Sequence, residues 1–395
     1  MKKILPTVLL SVLLTVLIHS QESSSMLDTF LRNFARASLS TKVKILEDSE
    51  KLNPSEMGPL YVKAVEFILS NSDLIQTDSM TQQLSVLAAR LMGLSGYKEG
   101  RYRLWELFHS DKDRTVRIVI MTALGDIGKG DARILEGMNN WLSEQTSLFQ
   151  TGKIPDLPVV GECIVSLGKI GDPSSFPVIF TSMVVKFSDD ITAKAQNSLL
   201  SIEGDFKDSI VNVLKRNPIP DKLAALQMAV DSPRLSDEQK GEVAEVALDI
   251  GLTTTSQDVT QRANLTDLRY TAVRVLTEKK WSKATRFIID HFDVVLDDYR
   301  RGTSPKANLL EAINALGAMG THEAAEHLSL YMVTINNEIE KGLTVDEQIV
   351  LTVIRNLGNL GDKIASDCLL YAGYLNYSDP IKRAAREAFN NLKIR

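Results

Sequence analysis

Four short strings recur along this 395-residue chain and constrain it more than any other feature. They are Leu124-Gly125-Asp126-Ile127-Gly128, Leu167-Gly168-Lys169-Ile170-Gly171, Leu316-Gly317-Ala318-Met319-Gly320 and Leu357-Gly358-Asn359-Leu360-Gly361. Each reads L-G-x-apolar-G. A fifth, Leu91-Met92-Gly93-Leu94-Ser95-Gly96, reads as a variant that keeps the leucines and shifts the glycines. The first leucines are spaced by 33, 43, 149 and 41 residues. The long gap divides into four steps of about 37, so degenerate units are expected within it, and a period near 40 is the length of one helical hairpin with its connections.

The columns around the leucine carry the same message. Four residues before it stand Leu87, Ile120, Cys163, Ala312 and Val353, and three after it Leu94, Ile127, Ile170, Met319 and Leu360. Offsets of −4, 0 and +3 lie on one helix face, so each unit is expected to present the same apolar stripe. The closing glycine suits a left-handed C-terminal cap, where a Cβ would be strained. Asp172-Pro173, Asp362 and Thr321 then supply N-caps for a fresh helix. The sequence therefore predicts antiparallel helix pairs written repeatedly.

The chain end fits that reading. Asp379-Pro380 opens a last helix with apolar positions Ile381, Ala384, Ala385, Ala388, Phe389 and Leu392, and with Lys382, Arg383, Arg386, Glu387 and Lys393 opposite. Arg383 and Glu387 lie one turn apart. A polar-faced terminal helix lets an array stop without exposing its core. Toward the other end, Met26 to Leu69 is predicted to form two or three helices that close the first unit. Further helices are expected over Ala193–Ile202, Asp221–Ala229 and Glu238–Leu248.

These strings, the Asp-Pro restarts and the period resemble HEAT repeats, especially the bacterial phycobilisome-lyase-like subset. The resemblance covers residues 88–175 and 306–395 well and is weak over 176–305. It implies an all-α fold, a right-handed α-solenoid of about nine HEAT-like hairpins over residues 26–395, with a concave surface that holds other proteins. It names a repeat type and does not imply lyase activity. The polar stretch 253–263 reads as a long repeat loop, with a hinge between sub-arrays as the alternative.

Residues 1–20 read as a secretory signal peptide, with Lys2 and Lys3 before an apolar run from Ile4 to Ile18 and a polar stretch after it. Fifteen helical residues span about 22 Å, short of the ~30 Å hydrocarbon core. Cleavage is expected near Ser20–Gln21, although Ile18 at −3 departs from the small-residue preference; an uncleaved anchor is the alternative. Residues 21–25 read as a flexible lead. A Met-Lys-Lys start suits bacterial export, so the expected compartment is the periplasm.

Composition narrows the function. With 44 % hydrophobic and 24 % charged residues the chain is core-forming. A net charge of −5 and 6 % aromatics argue against a nucleic-acid binder, which needs a basic surface or stacking platforms. Chemistry-bearing motifs are few. His322-Glu323-Ala324-Ala325-Glu326-His327 has i,i+5 histidines, which splay by about 140° and miss the i,i+4 zinc spacing. His322-Glu323 also resembles the His-Glu pairs of HEAT-repeat di-iron hydroxylases, which carry four pairs where this chain has one. Cys163 falls in a core column and Cys368 on an apolar face Ile364–Cys368–Tyr371, so both are expected to be buried free thiols. The pairs Asp189-Asp190 and Asp297-Asp298 read as solvated charges at helix ends. No P-loop, G-x-S-x-G or dinucleotide fingerprint is present, and no metal, cofactor or catalytic residue is expected.

Two clusters interleave aromatic and basic side chains, the types enriched at interface hot spots. One holds Tyr97, Arg101, Tyr102, Arg103 and Trp105; the other holds Lys280, Trp281 and Lys283. The simpler reading packs the aromatics inward and leaves the cations to solvate the turn. The function expected is a non-catalytic, exported scaffold or adaptor that binds another protein of unknown identity. The alternatives are an enzyme or small-ligand binder with a site in the superhelix groove, where His109 or His291 would converge with carboxylates, and a membrane-tethered adaptor.

Overall fold

Each glycine string ends a helix, and those helices pack against one another. In the computed structural model, residues 26–71 and 78–392 are described; the signal-peptide and lead readings lie outside them. The described residues form twenty α-helices and no strand, so the fold is all-α. The chain divides into two units, Met1–Gly204 and Asp205–Arg395.

In the first unit α1 (26–36), α2 (Leu39–Glu50) and α3 (Gly58–Ser70) precede α4 (Ser79–Ser95), α5 (Arg101–Ser110), α6 (Arg114–Ile127), α7 (Ala132–Gln150), α8 (Leu157–Ile170), α9 (Phe176–Val185) and α10 (Asp189–Ser201). The second unit holds α11 (Phe206–Arg216), α12 (Ile219–Asp231), α13 (Asp237–Thr253), α14 (Val259–Lys279), α15 (Thr285–Arg300), α16 (Lys306–Met319), α17 (His322–Glu340), α18 (Glu347–Leu360), α19 (Ser366–Ala372) and α20 (Asp379–Asn390). From α4 onward each helix packs, within its unit, on a neighbour in the chain and on the next helix but one. Two rows result in each unit. The even-numbered row runs α4, α6, α8, α10 in the first and α12, α14, α16, α18, α20 in the second.

The two glycines of each string do different jobs. The second one caps: Gly96, Gly171, Gly320 and Gly361 all have φ between +65° and +76°, where an L side chain is strained. At the end of α6 the left-handed residue comes later, at Gly130 (φ +84°), while Gly128 stays right-handed. The first glycine is a packing contact rather than a cap. A Cβ on Gly125 would stand 3.0 Å from Ser166, on Gly168 2.5 Å from Ser198, and on Gly358 2.9 Å from the backbone of Ala388. Gly317 meets Asn356 in the same way. Every one of these touches the residue just before the leucine position of the next even helix.

This contact corrects the register of the fifth string. Gly93 meets Ala123 at 3.0 Å, as Gly125 meets Ser166, so Met92 takes the leucine place and the glycines are not shifted. Leu94 is accordingly 60 % exposed and off the expected stripe, whereas Ala88 and Met92 are buried. The same contact identifies Leu199 and Phe389 as leucine positions without a glycine string. The helices expected over 193–202, 221–229 and 238–248 are present and longer, as α10, α12 and α13. Of the stretch 253–263, residues 254–258 connect α13 to α14 and the remainder after them is the start of α14, capped by Asp258.

The core is aliphatic and continuous within each unit, with Phe108, Phe176, Phe180 and Phe292 among its largest members. Two buried lysines close helix ends. Lys42 donates to the Phe34 carbonyl and Lys222 to the Leu214 carbonyl, each eight residues back, placing a cation at a helix C-terminus. Burial holds both ammonium groups below their ordinary pKa. We predict that Gly168→Ala and Gly358→Ala each cost about 1–3 kcal/mol by overpacking, less the ~1 kcal/mol that alanine returns in helix propensity. Chemical denaturation checks this, and an unchanged midpoint in both would show that the helices can separate without loss.

Candidate partner-binding site

The two aromatic–basic clusters occupy the same corner of two different units. In four places a left-handed residue is followed by one extended residue, a short 3-10 turn and a helix. The sets are Gly96-Tyr97 before Lys98–Gly100 and α5, Gly171-Asp172 before Pro173–Ser175 and α9, Lys280-Trp281 before Ser282–Ala284 and α15, and Gly361-Asp362 before Lys363–Ala365 and α19. Asp172 and Asp362 cap their turns, accepting from the Ser174 and Ile364 N–H groups. Tyr97 and Trp281 stand where those aspartates stand and make no such bond.

Their rings pack instead. Tyr97 lies on Gly58 of α3, and the Trp281 ring lies on Gly241 of α13, 2.7 Å from where a Cβ would be. The Trp281 indole Nε1–H donates to Glu245 Oε2 at 2.7 Å, and Lys283 Nζ sits 4.8 Å from the ring centroid. Trp105 packs 2.9 Å from the Cβ place of Gly137 in α7 and stacks on Phe108 at 5.3 Å. Trp105, Tyr97 and Trp281 are thus half-buried. Tyr102, Arg103, Lys280 and Lys283 remain exposed, with Tyr102 at 41 %.

Electrostatics order the first corner. Tyr102 Oη donates to Asp131 Oδ2 at 2.6 Å, and Arg101 Nε lies 2.6 Å from the same oxygen. Desolvation pushes the Asp131 carboxyl up, but the Tyr102 hydroxyl, the Ile134 N–H and the Arg101 charge outweigh it, so its pKa falls below the usual range. Arg101 and Arg133 flank the Tyr102 ring at 5.4 and 5.2 Å. Arg103 pairs with Glu106 at 2.8 Å.

The left-handed backbone of Lys280 is the feature that sequence inspection missed. It has φ +48°, the left-handed cap that glycine fills in the strings, and Leu276 lies four residues before it as Leu316 lies before Gly320. That leucine-plus-four spacing is the signal that locates the unit inside the weak region 176–305. A lysine there costs roughly 1–2 kcal/mol against glycine.

The remaining candidates are tied into the fold. His322 Nδ1 is 2.8 Å from Asp362 Oδ2, which raises the histidine pKa, and His327 Nε2 is 2.7 Å from Asp293 Oδ1. His109 packs edge-on against Trp105 at 4.6 Å, and burial followed by the nearby Arg117 charge lowers its pKa. His291 is fully buried with neither ring nitrogen hydrogen-bonded, edge-on to Tyr270 at 5.2 Å. Burial, then Arg269, pushes it down to about 3. Cys163 and Cys368 are buried free thiols, and burial raises Cys368 to about 11. The expected face of Cys368 is corrected: Ile364 and Tyr371 are exposed, and its buried neighbours are Ala365, Leu369 and Ala372. A cleft of about 580 Å³ lies beside α7, lined by Glu136, Asn139, Asn140 and Asp172, and neither His109 nor His291 lines it. Among the described residues no group of three or more His, Cys, Asp or Glu is placed to hold a metal ion, and no helix is long and apolar enough to cross a membrane.

Two predictions follow from this geometry. Lys280→Gly should raise stability by about 1 kcal/mol in denaturant titration, because it removes the left-handed strain. For His291 the folded pKa lies below the unfolded value of about 6.5, so the unfolded chain takes up a proton first as pH falls. The stability it contributes is complete above about 6.5 and is lost toward pH 3; His291→Phe should flatten that part of a Tm–pH profile, and an unchanged slope would refute the assignment. Compared with known proteins, the chain matches no family model and no curated sequence.

Proposed function

We propose that this chain is an exported, non-catalytic scaffold or adaptor of the bacterial periplasm, built as a right-handed α-solenoid of about nine HEAT-like hairpins. The observation that supports this reading is the repeated register. One glycine contact sets neighbouring even helices side by side, so the outer side chains of successive helices form an extended surface. Such a surface binds by shape and by anchored side chains rather than by covalent chemistry. Its partner is another protein.

The two equivalent corners, on the odd-numbered row, bring aromatic and cationic groups together. Tyr97, Trp105 and Trp281 anchor each corner to the glycine beneath, and Arg101 orients Tyr102 through Asp131. Tyr102, Arg103, Lys280 and Lys283 carry the contact. Strain held at Lys280, where glycine serves elsewhere, supports a role for its ammonium group beyond folding.

Substituting the tryptophans would damage the fold and the surface together. The test therefore uses exposed positions: proximity crosslinking in the native cell with Tyr102→Ala, Arg103→Glu and Lys280→Gly/Lys283→Glu variants. Each variant should keep a cooperative thermal transition, raised in the Lys280→Gly/Lys283→Glu protein by relief of the left-handed strain, and lose a reproducible protein partner by about tenfold or more. Purified protein that captures no partner and retains a small molecule would overturn the scaffold reading. An N-terminal residue beyond position 20 in the exported protein would support signal cleavage, and retention of residues 1–20 would overturn it.

A further inference from the structure

At two steps between successive even helices, polar side chains meet in the same register. Two residues before the leucine position, a side chain faces the residue five before the leucine position of the next even helix. Thr122 of α6 donates to Glu162 Oε1 of α8 at 2.7 Å, and Arg274 of α14 lies 3.9 Å from Glu311 Oε1 of α16. In both steps the second helix supplies a carboxylate.

At the step from α18 to α20 no carboxylate fills that place, as none does at the steps into α6, α10 and α18, where Val119, Lys194 and Thr352 stand. Arg355 holds the first place, two before Leu357. The Gly358–Ala388 contact sets Phe389 at the next leucine position, so the residue opposite Arg355 is Ala384. The space left is a cleft of about 320 Å³, lined by Arg355, Arg383, Ala384, Asn359, Asn391 and Glu387. Among the described residues neither Arg355 nor Arg383 makes an ion pair, and Glu387, one turn after Arg383, is not within pairing distance of either. Two arginines and one carboxylate leave the cleft cationic on a chain whose net charge is −5. The Asn359 and Asn391 amides add donors and acceptors at the same rim.

We infer that this cleft is a docking site for an acidic side chain, Asp or Glu, of a partner polypeptide. The incoming carboxylate takes the place that Glu162 and Glu311 fill in two other steps, with Arg355 as its main partner and Arg383 closing the opposite side. Guanidinium groups suit this because their fixed fork matches a carboxylate in two parallel hydrogen bonds. Glu387 opposes the ligand and moderates its affinity. This inference rests on the scaffold reading for its biological setting, but its chemistry is tested separately.

The test is calorimetric titration of the full chain with hexaglutamate, and with hexaglutamine as the neutral control, at low and high salt. Hexaglutamate should bind and hexaglutamine should not. Arg355→Gln and Arg383→Gln should each weaken binding by about tenfold, Glu387→Gln should strengthen it, and added salt should weaken it. Ala384→Glu, which puts the missing carboxylate into the chain itself, should abolish binding and raise the Tm. Absence of hexaglutamate binding, or binding unchanged by both arginine variants and by Ala384→Glu, overturns the site. If a crosslinked partner is captured equally well by Ala384→Glu protein, the scaffold reading stands and the cleft is overturned. If hexaglutamate binds as expected but no partner is captured in the cell, the cleft stands and the scaffold reading falls.

Discussion

The close approach of neighbouring even helices at a glycine is the constraint on which the rest of this structure depends. Where Gly125 meets Ser166, or Gly358 meets Ala388, two helices come together until a Cβ would not fit. A contact that tight fixes axial register as well as distance, because one residue of sliding would bring a larger side chain, the following leucine or phenylalanine in one direction, against the glycine. The apolar stripe alone would not do this. It tells each helix which face to bury but leaves it free to shift along its neighbour.

Register then sets every other relation along the row. It brings Thr122 to Glu162 and Arg274 to Glu311, and it brings Arg355 to an alanine. Most such surface ties contribute little to stability, on the order of 1 kcal/mol or less. Their value lies in showing which side chains a given position faces. A cation whose counterpart is absent is informative here because two other steps, α6 to α8 and α14 to α16, show a carboxylate in that place. The same logic holds at the corners, where Tyr97 and Trp281 replace a capping aspartate and turn a local hydrogen bond into a packing contact between helices of the other row.

Polar groups inside the fold serve cohesion. Asn336, almost fully buried, donates to the Cys368 carbonyl at 3.0 Å and accepts from the Tyr377 hydroxyl at 2.9 Å, joining α17 to α19 and to the connection before α20. His322 and His327 tie α17 to Asp362 and Asp293 on its two sides. His291 has no such partner, and its low pKa reflects a neutral imidazole that packs as a core residue against Tyr270.

Much of this was legible in the sequence because it is local. Helix, cap and restart depend on residues within a few positions of one another, so the strings identified the helix ends, the left-handed glycines other than at α6, and the capping Asp172, Asp362 and Thr321. The sequence also determined the core positions of Cys163 and, in α20, of Ile381, Ala385 and Ala388, whereas Ala384 and Phe389 are only half-buried. Tertiary structure alone decided what the first glycine is for, because its partner lies thirty or more residues away in the next even helix and leaves no local pattern. The same contact decided the true register at Met92-Gly93 and exposed Leu94. It also decided which side chains of the two corners face outward: spacing marked Trp105 and Trp281 as candidates, but the glycines beneath them, Gly137 and Gly241, lie in other helices. Local propensities write the elements, whereas contacts between distant helices assign each side chain its neighbour.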